Sequence, residues 1–288
     1  MAKSKILGVM GGSGLYDIDA LTEVREMKVE TPFGAPSDSY VCGKLGETEC
    51  VFLPRHGRGH RIAPHEINYR ANIHGMKQLG VTQLLAISAV GSMREEIRPG
   101  DFVIVDQFID RTWGRDSTFF EGGIVAHVGF ADPVDSRLAR LAAEGARATG
   151  VAVHEGGTYV CINGPQFSTR AESNLYRSWG VDVIGMTNAT EAKLAREGEL
   201  AFATVALATD YDCWRDEEDA VDVATVLGIV KKNVENAREV VAYVASRLQS
   251  DTHASPAHRA LENAVMTAPE LVPPSTRDRM RGLLRLME

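Results

Sequence analysis

The 288-residue sequence predicts an α/β fold, with helices packed around a largely parallel or mixed central sheet. Short apolar runs alternate along the chain with longer amphipathic ones. Polar or Gly-rich segments follow the short runs, where ligands of such sheets gather beyond the carboxyl ends of the strands. The composition, 44% hydrophobic and 24% charged, is that of an ordinary globular chain with enough apolar material for a sizeable core.

The elements follow in order. Residues 5–10 read as a first strand, ended by Gly11-Gly12-Ser13-Gly14. Residues 49–53 form the next, followed by the basic loop Arg55-His56-Gly57-Arg58-Gly59-His60-Arg61. A helix over 66–79 leads to a strand at 81–88, closed by Ser88-Ala89, and another strand spans 102–106. Helix 136–149 precedes strand 157–162 and Asn163-Gly164-Pro165. Helix 169–179, strand 181–185 with Met186-Thr187 after it, and helix 190–197 come next. Residues 200–208 are an apolar run without Gly or Pro, a buried strand that stops at Asp210-Tyr211-Asp212. Helix 223–247 repeats apolar residues at helical spacing. Residues 1–249 therefore form one domain, and the polar segment 250–258 leads into a helical tail that completes 250–288.

Bulk properties exclude several function classes. A net charge of −8 argues against a sequence-independent hold on nucleic acid, so any anion must be bound in a local pocket. No 18-residue apolar run exists, so no membrane span is expected. The apolar residues 6–10 are cut off by Gly11-Gly12 before a secretory segment can form. Cys42, Cys50, Cys161 and Cys213 show no C-x-x-C pairing and read as reduced thiols of a cytoplasmic protein.

Three segments carry chemistry. In an extended chain Asp210 and Asp212 share a face, and two close carboxylates disfavour joint ionisation, so one pKa should rise. Such a pair can give a proton to one ligand atom and accept from another; an isolated D-x-D is also compatible with an ordinary polar turn. Trp214 and Arg215 exclude a calcium loop. The Gly11–Gly14 loop is equally suited to a structural turn and to an anion nest. Asp17 breaks a dinucleotide fingerprint there, and Leu15 breaks a nucleophile elbow. Arg55 offers a bidentate fork to phosphate, which weighs somewhat more than a merely solvated basic loop. Gly57 and Gly59 oppose a helical zinc pair from His56 and His60, and no metal site is expected. His74, His127 and His154, taken singly, default to structural or surface roles.

Taken together, Gly11-Gly12-Ser13-Gly14, Thr31-Pro32-Phe33-Gly34, Arg55-His56-Gly57, Asn68-Tyr69, Gly91-Ser92, Gly164-Pro165-Gln166-Phe167-Ser168, Ala171-Glu172, Gly185-Met186-Thr187 and Thr209-Asp210-Tyr211-Asp212-Cys213-Trp214 resemble the purine nucleoside phosphorylases. Within these they are similar to the branch acting on 5′-methylthioadenosine. The resemblance runs in order from about residue 4 to about residue 245 and leaves the tail uncovered.

The resemblance implies a single domain with a mixed, partly barrel-like sheet, assembled as a homotrimer. It implies phosphate held by Ser13, Arg55, His56, Ser88, the Ala89 backbone and Thr187. Met186 would lie against the ribose and Phe167 on the purine, with Ser168, Tyr211 and Val223 lining the nucleoside site. His60 and His127 match histidines near the ribose 5′ end, the latter reaching in from a neighbouring subunit. Related 6-oxopurine enzymes carry Asn at position 210 and Glu at position 168, so Asp210, Asp212 and Ser168 point to a 6-aminopurine. Ala189-Thr190 departs from the branch's usual Val-Pro.

The expected activity is phosphorolysis of 5′-methylthioadenosine to adenine and 5-methylthioribose 1-phosphate, with Asp210 as proton donor to N7 and Asp212 as acceptor from the exocyclic amine. No cofactor is needed, inorganic phosphate being the co-substrate. Other purine nucleosides, or a nucleoside-binding protein without turnover, are the alternatives.

Overall fold

The computed structural model describes residues 5–12, 14–15, 17–215, 223–252 and 254–283, with the backbone alone of 223–227. Among the described residues eleven strands form one mixed sheet, and six helices flank it. The order β2-β3-β4-β1-β5-β10-β9-β7 runs along one path, and β11, β6 and β8 branch from β5. The strands are β1 (Leu7–Gly11), β2 (Thr22–Met27), β3 (Tyr40–Leu45), β4 (Thr48–Pro54), β5 (Gln83–Ser92), β6 (Phe102–Val105), β7 (Gln107–Arg111), β8 (Val153–Glu155), β9 (Thr158–Ile162), β10 (Val183–Gly185) and β11 (Ala201–Tyr211).

The centre of the sheet is β5. On one edge it pairs with β11 from Gln83 to Ser92. On the other, Gln83 to Ala86 pair with β1 in parallel, while Gly91 and Ser92 pair with β10 antiparallel. Residues 87–90 therefore face a gap where one strand has left and the next has not yet arrived, and their backbone groups on that edge are free of the ladder. Such a divergence of strands is where α/β sheets bind ligands.

The barrel-like half is closed by the chain itself. Only Asp106 separates β6, on the β11 branch, from β7, on the β10–β9 branch. Val90, Val103, Val105, Tyr159, Cys161, Val183, Ala206 and Ala208 fill the space between the two branches.

The helices begin where capping chemistry places them. They are α1 (Tyr69–Gln78), α2 (Ser136–Ala148), α3 (Arg170–Ser178), α4 (Asn188–Glu197), α5 (Val223–Leu248) and α6 (Pro274–Arg279). The side chains of Asn68 and Asp135 accept from the backbone three residues on, and Thr169 with Glu172 forms a capping box. Among the described residues no helix is long and apolar enough to cross a membrane. The four cysteines are free thiols.

The structure adds strands that the alternation of runs does not reveal: β2, β3, β7 and β8. It also carries β11 past residue 208 to Tyr211 and β5 on to Ser92. The tail packs closely against the chain, with Leu261, Ala264, Val272, Met280 and Leu283 buried in the same cluster as Phe119, Phe120 and Ile124. It also grips residues 121–127: Ala126 bridges Val265, Met266 N–H donates to Val125 O (2.8 Å), and Thr276 Oγ1 donates to Gly122 O (2.5 Å).

Candidate active site

The gap in β5 holds two of the predicted phosphate residues. Ser88 and Ala89 lie inside it. The Ser88 hydroxyl sits 3.4 Å from Tyr159 Oη, a buried phenol reaching across from β9. Gly185 makes room for that phenol, since a Cβ there would stand 1.9 Å from Tyr159 Oη. Two residues later Thr187, almost wholly buried, occupies the N-cap position of α4 without a side-chain capping bond. Its hydroxyl is therefore not spent on the helix terminus. Ser13 lies outside the described residues. The loop around it is held by Arg238, whose Nε donates to Gly14 O (2.8 Å).

Arg55 corrects the expectation of an open fork for an anion. It is 3% exposed, and its guanidinium is largely committed within the protein. Nε donates to Glu191 Oε1 (2.6 Å) and Nη2 to Glu191 Oε2 (3.1 Å), while Nη1 donates to Ile87 O (2.7 Å) and Nη2 to Met10 O (2.9 Å). Of five N–H groups, one on Nη1 is left over. Glu191, fully buried, also accepts from Asn188 Nδ2 (2.6 Å). Arg55 thus ties the end of β4 to β1, β5 and α4, and its charge is already balanced.

Beside it, His56 Nδ1 lies 2.9 Å from Ile62 O. A carbonyl only accepts, so Nδ1 carries the proton and Nε2 presents a lone pair. Burial lowers the His56 pKa to about 4, helped by the Arg55 charge, so the ring is neutral near pH 7. The exposed His60 stacks on it, ring centroids 4.2 Å apart.

The carboxylate pair sits at the end of β11. Between Ala208 and Asp210 the register against β5 shifts by one residue, a bulge that aims the strand end. Gly91 lies beneath both acids: a Cβ there would meet Asp210 Oδ1 at 3.3 Å and Asp212 Cβ at 3.4 Å. The shared face expected of residues 210 and 212 is therefore present.

Their environments differ. Asp210 opens to solvent on one side, yet protein crowding raises its pKa, the Asp212 charge adding to the effect and the Thr209 hydroxyl opposing it. Thr209 Oγ1 lies 2.6 Å from Asp210 Oδ2 and 3.2 Å from Val90 O. It can donate to an ionised Asp210, or accept from a protonated one while donating to Val90. Asp212 is buried and accepts a short bond from the Ser173 hydroxyl. Its backbone N–H donates to Ser92 O (3.1 Å), and Trp214 Nε1 donates to the same carbonyl (2.8 Å). Tyr211, between the acids, is half-buried.

The loop after β9 supplies an apolar face. Phe167 is 84% exposed, a large apolar ring that the described residues leave mostly uncovered, and the neighbouring Ser168 Oγ is buried without a partner among them. Met186 is half-buried beside Gly164, where a Cβ would meet its sulfur at 2.5 Å. His127 is exposed, and its N–H donates to Ala264 O of the tail (2.9 Å) rather than to the residues described above. Val223 begins α5, and its side chain lies outside the described residues. Among the described residues no group of three or more His, Cys, Asp or Glu is placed to hold a metal ion.

Sequence reasoning missed Glu191, Tyr159 and Arg115 as parts of the site. Arg115 connects Tyr69, Asn163, Met186 and Thr190. None of the three lies in a recurrent local pattern; each acts across the fold.

The chain is similar over most of its length to known proteins. The family model of the phosphorylase superfamily matches residues 6–246. An S-methyl-5′-thioadenosine phosphorylase of Thermosynechococcus vestitus is 54% identical over 281 residues, covering 96% of this chain and 97% of that protein. One from Geobacter sulfurreducens is 54% identical, with 96% of each chain covered. The match thus extends into the tail, beyond the reach of the motifs. Among solved structures, a methylthioadenosine phosphorylase from an antarctic soil metagenomic library superposes with a TM-score of 0.94 at 46% identity, over 98% of this chain and 99% of that one. A mutant adenosine/methylthioadenosine phosphorylase of Schistosoma mansoni, in complex with methylthioadenosine, superposes with a TM-score of 0.81 at 39% identity, over 86% and 93%.

Proposed function

The chain belongs to the phosphorylase superfamily, and from that membership we propose that it cleaves the N-glycosidic bond of 5′-methylthioadenosine with inorganic phosphate. A phosphate oxygen bonds to C1′ of the ribose as the bond to N9 breaks, and the bonding pair leaves with adenine. The products are adenine and 5-methylthioribose 1-phosphate. The observation that carries this reading is the pair over Gly91, in which Asp210 has a raised pKa and Asp212 is fixed by Ser173.

Protonated Asp210 donates to N7 as negative charge gathers on the departing purine, and recovers its proton from solvent. Asp212 accepts from the exocyclic amine, Phe167 covers the purine face beside Ser168 and Tyr211, and Met186 backs the ribose. Phosphate lies along the gap in β5, with Ser13, Ser88, Thr187 and the Ala89 N–H as donors. Arg55 gives it the single remaining N–H. Neutral His56 accepts at Nε2 from the hydroxyl of monohydrogen phosphate. Positive charge growing on the ribose is stabilised by the phosphate itself, so positioning and electrostatics carry the reaction. No cofactor enters this scheme.

The active unit is a homotrimer in which His127 reaches the ribose 5′ end of a neighbouring pocket, alongside His60 and Val223. The exposure of His127 and the tail's grip on its segment support that reach. Phosphate-dependent adenine release from methylthioadenosine, with adenosine and inosine as comparators, tests the activity. Release independent of phosphate, or a preference for inosine, would refute it. Light scattering at assay concentration tests the assembly, and a fully active monomer would refute that part.

A further inference from the structure

We infer that Arg115 is a positioning residue: it clamps the loop bearing Phe167 and Ser168 to the segment bearing Met186, and so sets the width of the nucleoside pocket. The inference rests on the proposed activity and extends it to a residue that touches no substrate.

Arg115 lies on a stretch without helix or strand, between the end of β7 and the buried Phe119. From there its guanidinium reaches four elements. Nη2 donates to Asn163 O (2.6 Å), where β9 gives way to the Phe167 loop. Nη1 donates to Met186 O (2.7 Å), just after β10, and to Tyr69 Oη (3.0 Å) at the start of α1. Thr190 Oγ1 on α4 lies 3.5 Å from the same nitrogen, and the guanidinium carbon sits 5.3 Å from the Tyr69 ring centroid. A planar fork can serve several acceptors at fixed angles, which a lysine ammonium on a flexible stem cannot.

The stretch that carries Arg115 is itself fastened on both sides. Lys193 Nζ donates to Asp110 Oδ2 (2.6 Å). Thr118 Oγ1 and the Phe119 N–H each donate to the buried Glu197 (2.7 Å). A clamp anchored in this way transmits rigidity to the carbonyls it holds. Those carbonyls belong to the nucleoside side of the site. Thr187, on the phosphate side, shares the Met186 peptide bond but has further holds of its own at the head of α4 and in Tyr159. Loss of Arg115 should therefore loosen the nucleoside pocket more than the phosphate pocket.

The test is steady-state phosphorolysis by full-length R115M and R115K, each substrate varied against saturation of the other. R115M should raise the KM for methylthioadenosine by about tenfold to a hundredfold, the scale of loss that a displacement of about 1 Å brings. The phosphate KM should stay within about threefold, the smaller effect that the further holds on Thr187 imply. R115K, which keeps the charge but not the fork, should raise the nucleoside KM by a smaller factor, and it decides the matter if R115M does not fold. An unchanged nucleoside KM in the folded variants, or an equal rise in both KM values, overturns the inference. Failure of the wild-type protein to release adenine would overturn the proposed activity instead.

Discussion

Replacing Glu191 by Gln tests the reading of Arg55 as an internally balanced brace. Glu191 is fully buried and Arg55 is 3% exposed, so water cannot take over either partner. Three donors converge on the Glu191 carboxylate: Arg55 Nε, Arg55 Nη2 and Asn188 Nδ2. An amide has one carbonyl oxygen and one NH2, so either orientation sets a donor against a donor. The guanidinium is then left buried without its counter-charge, which costs about 3–5 kcal/mol. That is a large part of the roughly 5–15 kcal/mol that separates folded from unfolded chains. Urea unfolding at one fixed protein concentration measures the loss, since an assembly would otherwise shift it by mass action. A cycle of R55M, E191L and the double variant isolates the pair, and should show a coupling of about 2–3 kcal/mol, at the upper end for residues in contact. An E191Q protein within about 0.5 kcal/mol of wild type, the range of inconsequential surface changes, or an additive cycle, would refute the reasoning.

Asp210→Asn should lower turnover on methylthioadenosine by about 10²–10⁴-fold, because an amide cannot pass a proton to N7. Burial raises the Asp210 pKa above the ordinary carboxylate value, so its acid form persists to higher pH, and kcat/KM should fall as pH rises through that raised pKa. The pH profile checks this, and the limb should vanish in the Asn variant. Gly185→Ala drives a methyl group into Tyr159 Oη, 1.9 Å from the new carbon, and should destabilise the protein by about 1–3 kcal/mol, the scale of overpacking. Urea midpoints of the two proteins give the comparison.

Much of this could be read from the chain before the fold was known, for physical reasons. Strands β1, β4 and β11 are buried along most of their length, so their apolar runs stand out. The acids at the end of β11 and the glycine loop after β1 are each contiguous in sequence, and contiguity made them visible. By contrast, β2 is exposed at every position and rich in charge, because it is an edge strand paired only with β3. Its residues carry no alternation to read. Strand β8 is three residues long, too short for a period. The Arg55–Glu191 pair joins positions 136 residues apart, and the clamp of Arg115 joins four separate segments. Charge balance of that kind exists only once the sheet has closed. An arginine in a basic loop of an acidic protein therefore looked like an anion ligand, although most of its hydrogen bonds serve the protein.

The central place of β5 has a consequence for the order in which the protein is built. Its ladder with β11 runs from Gln83↔Ala201 to Ser92↔Tyr211, with Asp210 on the last rung but one and Asp212 just beyond the end. A nascent chain that has emerged only as far as α4 carries β5 with β1 on one edge and nothing on the other. That open edge is apolar over Leu84, Leu85, Ala86 and Ile87, all buried in the finished protein. Such an edge is a template for pairing with other chains. Long-range ladders also form slowly, because loop closure comes before the contacts that reward it. Synthesis and site assembly therefore finish nearly together: no fragment ending before Tyr211 holds the acid pair against its glycine, and any such fragment presents an unpaired apolar strand to its neighbours.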